Sequence, residues 1–284
     1  MTSEPFSVET KMSLEMKPVK LDNHQTIVAG ITTRRGGVSN KPFESLNMGF
    51  HVHDDHHAVL ENRKRLAEDI GISLEHWVAA EQVHGTNLVR VTSQDTGKGA
   101  KDMASAVKDT DGLYTVEDNV LLTACYADCV PIYFYSEKKP AAGLLHAGWR
   151  GTVGQGAGKM VKAWERELDI MPSDIHAIIG PSIGQCCYEV DERIIQHIRD
   201  IEHVSLETVA EQVDHNHYML NLKELNKQIL LSSGVPESHI QVSSYCTSCR
   251  NDLFFSYRAE NGKTGRILSY IGLIKGDRHR GSIR

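Results

Sequence analysis

No run in this sequence is apolar for long enough to cross a bilayer as a helix, which takes about 20 residues, so no membrane span is expected. An excess of positive charge is missing too. Lys and Arg number 31 against 37 Asp and Glu, a formal net charge of −6, which argues against the cationic footprint that nucleic acid requires. The first residues carry Glu4, Glu9 and Glu15 instead of an apolar segment, unlike a secretory signal. Six cysteines stand at uneven spacings, with Cys186 and Cys187 adjacent. They suggest no disulfide framework, and a reducing cytoplasm is the expected compartment. Two signatures of nucleotide chemistry are incomplete. Gly154-Gln-Gly-Ala-Gly-Lys159 imitates a phosphate loop, but Val153 stands where the first glycine belongs and Met160 where Ser or Thr is required. Cys246-Thr-Ser-Cys249 follows Tyr245 and has no matching His-x-Glu, so it is not the zinc-deaminase signature. A single Cys pair also falls short of a structural zinc site.

What is present suits a soluble globular chain. With 284 residues, 40% of them hydrophobic, the protein can bury a substantial core. Residues 1–20 are polar and aperiodic and read as a flexible arm; residues 21–284 read as a single catalytic domain without linkers or repeats. Strands are expected at 26–33, 88–92, 120–126, 131–135, 141–146 and 176–179. A helix is expected from Asp54 to Ile70 with Gly71 as its C-cap, and another carries the stripe Ala157, Met160, Val161, Trp164 and Leu168. Residues 190–234 turn helical, with Asn221 as an N-cap and Gly234 as the stop. The chain should close with a hairpin pairing 253–258 with 266–273 around Asn261-Gly262. Interspersed strands and helices without regular βαβ alternation indicate an α+β fold with mixed sheets and flanking helices.

The most informative run is His146-Ala-Gly-Trp-Arg-Gly151, read together with Ala127-Asp-Cys129 and Gln82-Val-His84. Two imidazoles and a thiol, His84, Cys129 and His146, are the ligand set of an open zinc site with one position left for water or substrate. The plainer reading is a loop histidine, a buried thiol and a core histidine. Arg34 and Arg35, before Gly36-Gly37, can grip phosphate or ribose oxygens, or stand as solvated arginines of a surface turn. Asn47 offers a donor and an acceptor to a base edge or sugar hydroxyl. Arg150, with the helix opening at Gly151, is a second anion candidate. Asp128 reads either as the partner of a ligating histidine or as a carboxylate in a turn. Asp109 and Asp111 read most simply as turn residues. Copper would also bind His84, Cys129 and His146, but the His-x-His pairs of a trinuclear cluster are reduced to His51-Val-His53 and His215-Asn-His217.

Thr33-Arg-Arg-Gly-Gly-Val-Ser39, Ser45-Leu-Asn47, Gln82-Val-His-Gly85, Ala127-Asp-Cys-Val-Pro131, His146-Ala-Gly-Trp-Arg-Gly151, Gly180-Pro-Ser-Ile-Gly184 and Phe254-Phe-Ser-Tyr-Arg258 follow one another in order. In these the chain resembles the YfiH-type laccase-domain family from about residue 26 onward. The resemblance implies the YfiH/toxin-deamidase fold. It also implies zinc-dependent phosphorolysis of adenosine, inosine, guanosine or methylthioadenosine, with deamination of adenosine. Purine nucleoside and phosphate are then the partners, His84, Cys129 and His146 the metal ligands, and Arg34, Arg35, Asn47 and Arg150 the substrate contacts. Two other activities attach to the resemblance. One is a Cys–His hydrolase or amidase of the cell-wall-precursor-editing type, with Cys129 as nucleophile and His146 as base. The other is a copper-dependent polyphenol oxidase. A non-catalytic binding module is the remaining reading of the residues.

Overall fold

Strand Gln25–Thr32 shows how the layers arise: Ile27, Ala29 and Ile31 enter one buried cluster and Val28 another, because successive side chains point to opposite faces. In this computed structural model, which describes residues 3–10 and 12–275, the same alternation recurs in neighbouring strands. Leu122, Ala124 and Tyr126 face inward where Leu121 and Cys125 face outward; Tyr133 and Tyr135 oppose Ile132 and Phe134. Sheets buried on both faces are apolar almost continuously, as 120–126 and 130–136 are.

Two sheets therefore lie face to face, with helices outside each. The first runs in the order Val8–Glu9, Ser13–Glu15, Gln25–Thr32, Ile267–Lys275, Val120–Tyr126, Trp77–Ala79, with Val19–Lys20 also on Gln25–Thr32. The second runs Ile240–Val242, His176–Ile179, Val130–Ser136, Ala141–Ala147, Gly112–Thr115, Leu88–Arg90. Most neighbours are antiparallel, but 77–79 with 120–126, 88–90 with 112–115, and 176–179 with 240–242 are parallel. The mixed α+β architecture expected from the sequence is the one observed. Helix His56–Ile70, capped by the Asp55 side chain and by Gly71 in the left-handed region, lays Leu66 and Ile70 on the first sheet beside Trp77 and Tyr270. Helices Gly156–Leu168 and Leu222–Ser232 cover the second sheet; Asn221 caps the latter, as expected.

Three expectations need correction. The segment read as a flexible arm is instead built into the first sheet: Ser13–Glu15 pairs with 30–32, and Phe6, Met12, Leu14 and Met16 are buried. Its apolar residues, hidden among charges, cover the inner cluster; residues 1, 2 and 11 lie outside the described ones. The stretch 190–234 is only partly helical, since Glu189–Asp191, Ala210–Gln212 and His217–Leu220 form a small antiparallel sheet. The closing hairpin is absent. Ile267–Lys275 is paired along both edges, with 25–32 and with 120–126, so no edge remains for 253–258. Leu253, Phe254 and Phe255 are buried consecutively in a run of turns instead of alternating. Asn261 and Gly262 do make a turn with positive φ, but it joins no strands.

A close fit positions the strand that bears His146. A Cβ on Gly143 would stand 2.9 Å from Cζ2 of Trp164, so the indole lies directly on the strand backbone, fully buried with Phe134 alongside. We expect Trp164→Ala to lower the unfolding free energy by about 3–5 kcal/mol in a urea titration, because the vacated volume cannot collapse onto a rigid sheet. A loss below about 1 kcal/mol would show that this layer repacks freely.

Candidate metal centre and its cavity

All three predicted donors sit where the chain leaves a sheet. The loop after Trp77–Ala79 crosses from the first sheet to the second and carries His84. Asp128, with φ 85°, turns the corner between Val120–Tyr126 and Val130–Ser136, and Cys129 follows it. His146 lies near the end of Ala141–Ala147, before Gly148 and the short helix Trp149–Val153. One nitrogen from each imidazole and the thiol sulfur all fall within 4.8 Å of one another. The rings of His84 and His146 meet edge to face, 4.8 Å between centroids. A Cβ on Gly148 would stand 3.2 Å from both Cys129 Sγ and His84 Cδ2, so the glycine leaves the space these donors face. Two nitrogens and one sulfur, convergent and partly open, fit a borderline-soft divalent ion with one position to spare.

The carboxylate that organises this set is Asp111, which the sequence suggested most simply as a turn residue. His146 Nδ1 donates to its Oδ1 at 2.8 Å, which leaves Nε2 free as a donor atom for an ion. The backbone N–H groups of Val83, His84 and Gly85 also donate to it, at 3.3, 3.0 and 2.6 Å. His84 holds a φ of 61° to wrap the loop this way. Burial pushes the Asp111 carboxyl up, but His146 and the Gly85 and Val83 amides outweigh it and hold it below the usual range. Burial likewise opposes charge on both Cys129 and His146. Their mutual attraction, with the hydrogen bonds between them and from Asp111 and His84, outweighs it, lowering the thiol and raising the imidazole. Gln82 pins the same loop by exchanging two bonds, both 2.8 Å, with the backbone of Cys125.

Asp128 is the other kind of carboxylate. It accepts from Thr247 Oγ1 at 2.6 Å, Ser256 Oγ at 3.0 Å and the Arg258 N–H at 2.7 Å, and from no histidine. It ties the corner beside Cys129 to the C-terminal loops. That resolves the two readings of Asp128 in favour of a turn carboxylate.

The donors open into a cavity of about 860 Å³. Its walls concentrate positive charge: Arg63, Arg150, Arg258 and Arg266 all reach it. Arg63 is fully buried, and its partners are the carbonyls of Met48, Gly99 and Ala100 and the Cys125 sulfur, so no carboxylate among the described residues pairs with it. Arg258 is braced on the carbonyls of Cys187 and Glu189. The Arg266 side chain spends Nη1 on the carbonyls of Thr264 and Gly265 and makes no other hydrogen bond to a described residue. The Arg150 guanidinium stacks on Trp149 at 4.4 Å and makes no hydrogen bond to a described residue. Burial, then Arg266 and Arg63, bring His51 down to about 4, so it stands neutral among these cations.

Of the predicted substrate contacts, only Arg150 lines this cavity. Arg34 is held by Glu260 at 3.0 Å, by the carbonyls of Glu44 and Asn251, and against the Phe255 ring at 4.5 Å. Arg35 is exposed and pairs with Asp252. Asn47 is buried, receiving the N–H groups of Gly49 and Arg266 and donating to Asp54, which makes it a brace behind Arg266. Arg34, Arg35 and Asn47 thus lie outside the cavity lining, each engaged by other partners within the protein. The cavity residues missed are Arg63, Arg258, Arg266 and His51. Only Arg258 and His51 lay in runs that had stood out, and Arg266 had no local signal.

Residues 28–274 match the family described as multi-copper polyphenol oxidoreductase laccase. The chain is 52% identical over 245 residues to the purine nucleoside phosphorylase YlmD of Geobacillus stearothermophilus, covering 86% of this chain and 89% of that one. It is 46% identical over 274 residues to the purine nucleoside phosphorylase YlmD of Bacillus subtilis, covering 96% and 98%. Among solved structures, the Bacillus licheniformis hypothetical protein YfiH superposes with a TM-score of 0.91 at 42% identity, covering 95% of this chain and 99% of that one.

Two outcomes follow from the geometry. Asp111→Asn keeps the shape but removes the charge that fixes the His146 tautomer, and should weaken transition-metal affinity roughly 10- to 100-fold in a chelator competition. Unchanged affinity would reduce Asp111 to a loop brace. His51, with a folded-state value near 4 against 6.5 for the free side chain, takes up protons more readily when unfolded. Its contribution to stability is therefore complete above about 6.5 and is lost as pH falls toward about 4. Metal-free protein should lose stability over that window more steeply than His51→Gln does, and parallel urea-unfolding profiles would exclude His51 as the cause.

Proposed function

This chain belongs to the multi-copper polyphenol oxidoreductase laccase family, and on that premise we propose that it is a zinc-dependent purine nucleoside phosphorylase that also deaminates adenosine. The observation that carries the reading is the meeting of His84, Cys129 and His146 with the guanidiniums of Arg266 and Arg150, neither of them ion-paired with a described residue, in one cavity of about 860 Å³. That volume accommodates a nucleoside together with phosphate. The names of relatives supply the purine; the cavity supplies the anion site and the donor set.

Phosphorolysis forms a bond from a phosphate oxygen to C1′ of the ribose and breaks the C1′–N9 bond. The electron pair leaves with the base, giving ribose 1-phosphate and free purine. Little of this needs a covalent step on the protein, so holding the two reactants together should supply most of the rate. Arg266 and Arg150 grip the phosphate in this reading, and the unneutralised charge of Arg63 adds to the field at the reacting end. His51, kept neutral, offers hydrogen bonds to sugar or phosphate without adding repulsion. The side chains of Phe50 and Tyr188 give the base apolar walls. A zinc ion held by His84, Cys129 and His146 would add Lewis acidity in the cavity. Adenosine, inosine, guanosine and methylthioadenosine are the proposed substrates, and unpaired thiols fit a cytoplasmic setting.

The thiolate–imidazolium character of Cys129 and His146, with Asp111 behind the imidazole, also favours a second reading, a cysteine-dependent amidase. His84 converging on the same sulfur weighs against it, since a ligated thiolate is a poor nucleophile. The oxidase reading asks for several coppers. Among the described residues, His53, His215 and His217 join neither group that could hold a metal.

The test follows base release and inosine formation from the four nucleosides, with and without phosphate. Phosphate-dependent ribose 1-phosphate is expected. Arg266→Ala should cut phosphorolytic efficiency roughly thirtyfold, about 2 kcal/mol, with zinc content intact and deamination less affected. Arg34→Ala should lower stability and leave phosphate affinity unchanged. No phosphate-dependent base release from any of the four would overturn the reading, and release confined to an amide substrate would favour the amidase.

A further inference from the structure

Four cysteines outside the cavity floor come together from two separate turns. Cys186 and Cys187 lie in the turn after strand His176–Ile179; Cys246 and Cys249 lie in the turn after Ile240–Val242. These strands are parallel neighbours at the edge of the second sheet, and the pairing continues through a bridge between Ser182 and Cys246. Two parallel strands deliver their following turns to the same end, which is why two unrelated pairs meet. All four sulfurs lie within 4.8 Å of one another, with Cys249 at 3.4 Å from both Cys186 and Cys187. A disulfide would need about 2.05 Å. Four sulfurs around one ion at about 2.3 Å would stand about 3.8 Å apart.

We propose that Cys186, Cys187, Cys246 and Cys249 bind a structural zinc ion, separate from the centre at His84, Cys129 and His146. The backbone is arranged for thiolates. The N–H groups of Gly184 and Cys249 donate to Cys246 Sγ at 3.2 and 3.5 Å. Gly184 has no side chain where a Cβ would stand 3.1 Å from Cys246 Cβ and 3.2 Å from Cys186 Sγ. A second observation points the same way. Lys223 is buried and donates to the carbonyls of Ser243 and Tyr245, at 2.8 and 2.9 Å, with no carboxylate of the described residues in hydrogen-bond reach, and its charge interacts with Cys246, with the more distant Glu4 carboxylate and with Cys186. Four thiolates on one divalent ion carry a net negative charge, which would add to that of Glu4 in offsetting the buried ammonium. Four soft ligands filling every position mark a closed site, and their spacing suits one ion better than an iron–sulfur cluster.

Such an ion would also brace the cavity. Arg258 donates to the carbonyls of Cys187 and Glu189, and Tyr188 between them lines the wall. The single Cys pair seen in the sequence is therefore only half of the site, completed by the pair some sixty positions upstream (186 against 246).

Metal analysis of the purified full chain tests this independently of any activity. Two zinc ions per chain are expected, falling to one in Cys249→Ser and to one in Cys129→Ser. Cobalt-loaded Cys129→Ser should keep intense thiolate-to-cobalt charge-transfer bands, and Cys249→Ser should lose that all-sulfur spectrum. If Cys249→Ser does not fold, the unaltered protein answers by alkylation. Cys186 and Cys249, though exposed, should label only after a strong chelator is added. Prompt labelling of both in the loaded protein would overturn the proposal. So would a disulfide found among the four by mass spectrometry, iron in place of zinc, or a zinc content that Cys249→Ser leaves unchanged.

Discussion

A single buried carboxylate holds the cavity floor in register. Asp111 accepts three backbone amides of one crossing loop and the Nδ1 proton of the histidine at the end of a strand, and its own carbonyl accepts the His146 amide at 2.7 Å. These partners belong to different layers of the molecule, so the relative placement of His84 and His146 is set by bonds to one residue. A charged acceptor with four donors is stronger than the sum of neutral bonds, and its desolvation is repaid only while all four persist. The left-handed φ of His84 is tolerable for the same reason: the loop adopts it to present consecutive N–H groups to one carboxylate.

Charge distribution follows a similar logic at larger scale. The sequence carries a net charge of −6, yet guanidiniums line its cavity, one of them buried against carbonyls and the Cys125 sulfur. Surplus negative charge lies on the outer surface, where water screens it, and the unneutralised positive charge lies where the dielectric is low. Composition cannot show this, because it averages over the two. A slightly acidic protein can thus place several guanidiniums around one interior cavity.

Much of the framework was legible in the residues. The apolar runs at 120–126 and 141–147, the caps at Asn221 and Gly71, and the donor trio announced themselves through periodicity and ligand chemistry. What was hidden depended on long-range pairing. Asp111 looked like a turn residue because its role exists only once the 83–85 loop and His146 arrive from elsewhere. Arg34 and Arg35, followed by glycines, had a conspicuous local pattern and lie outside the cavity lining, whereas Arg266, with no pattern, reaches it. Leu253 to Phe255 misled in the opposite direction, since three consecutive apolar residues beside a good turn suggest a hairpin until the neighbouring strand is found paired on both edges.

That strand has a consequence in time. Ile267–Lys275 joins Gln25–Thr32 to Val120–Tyr126, yet it leaves the ribosome after both. Until it is synthesised, the middle of the first sheet is missing and two apolar strands stand with open edges. Contacts between opposite ends of a chain form slowly, and such edges are where nascent chains pair wrongly. Synthesis of this strand thus completes the first sheet. A premature stop even a few codons before Ile267 would remove the centre of the sheet instead of trimming its margin.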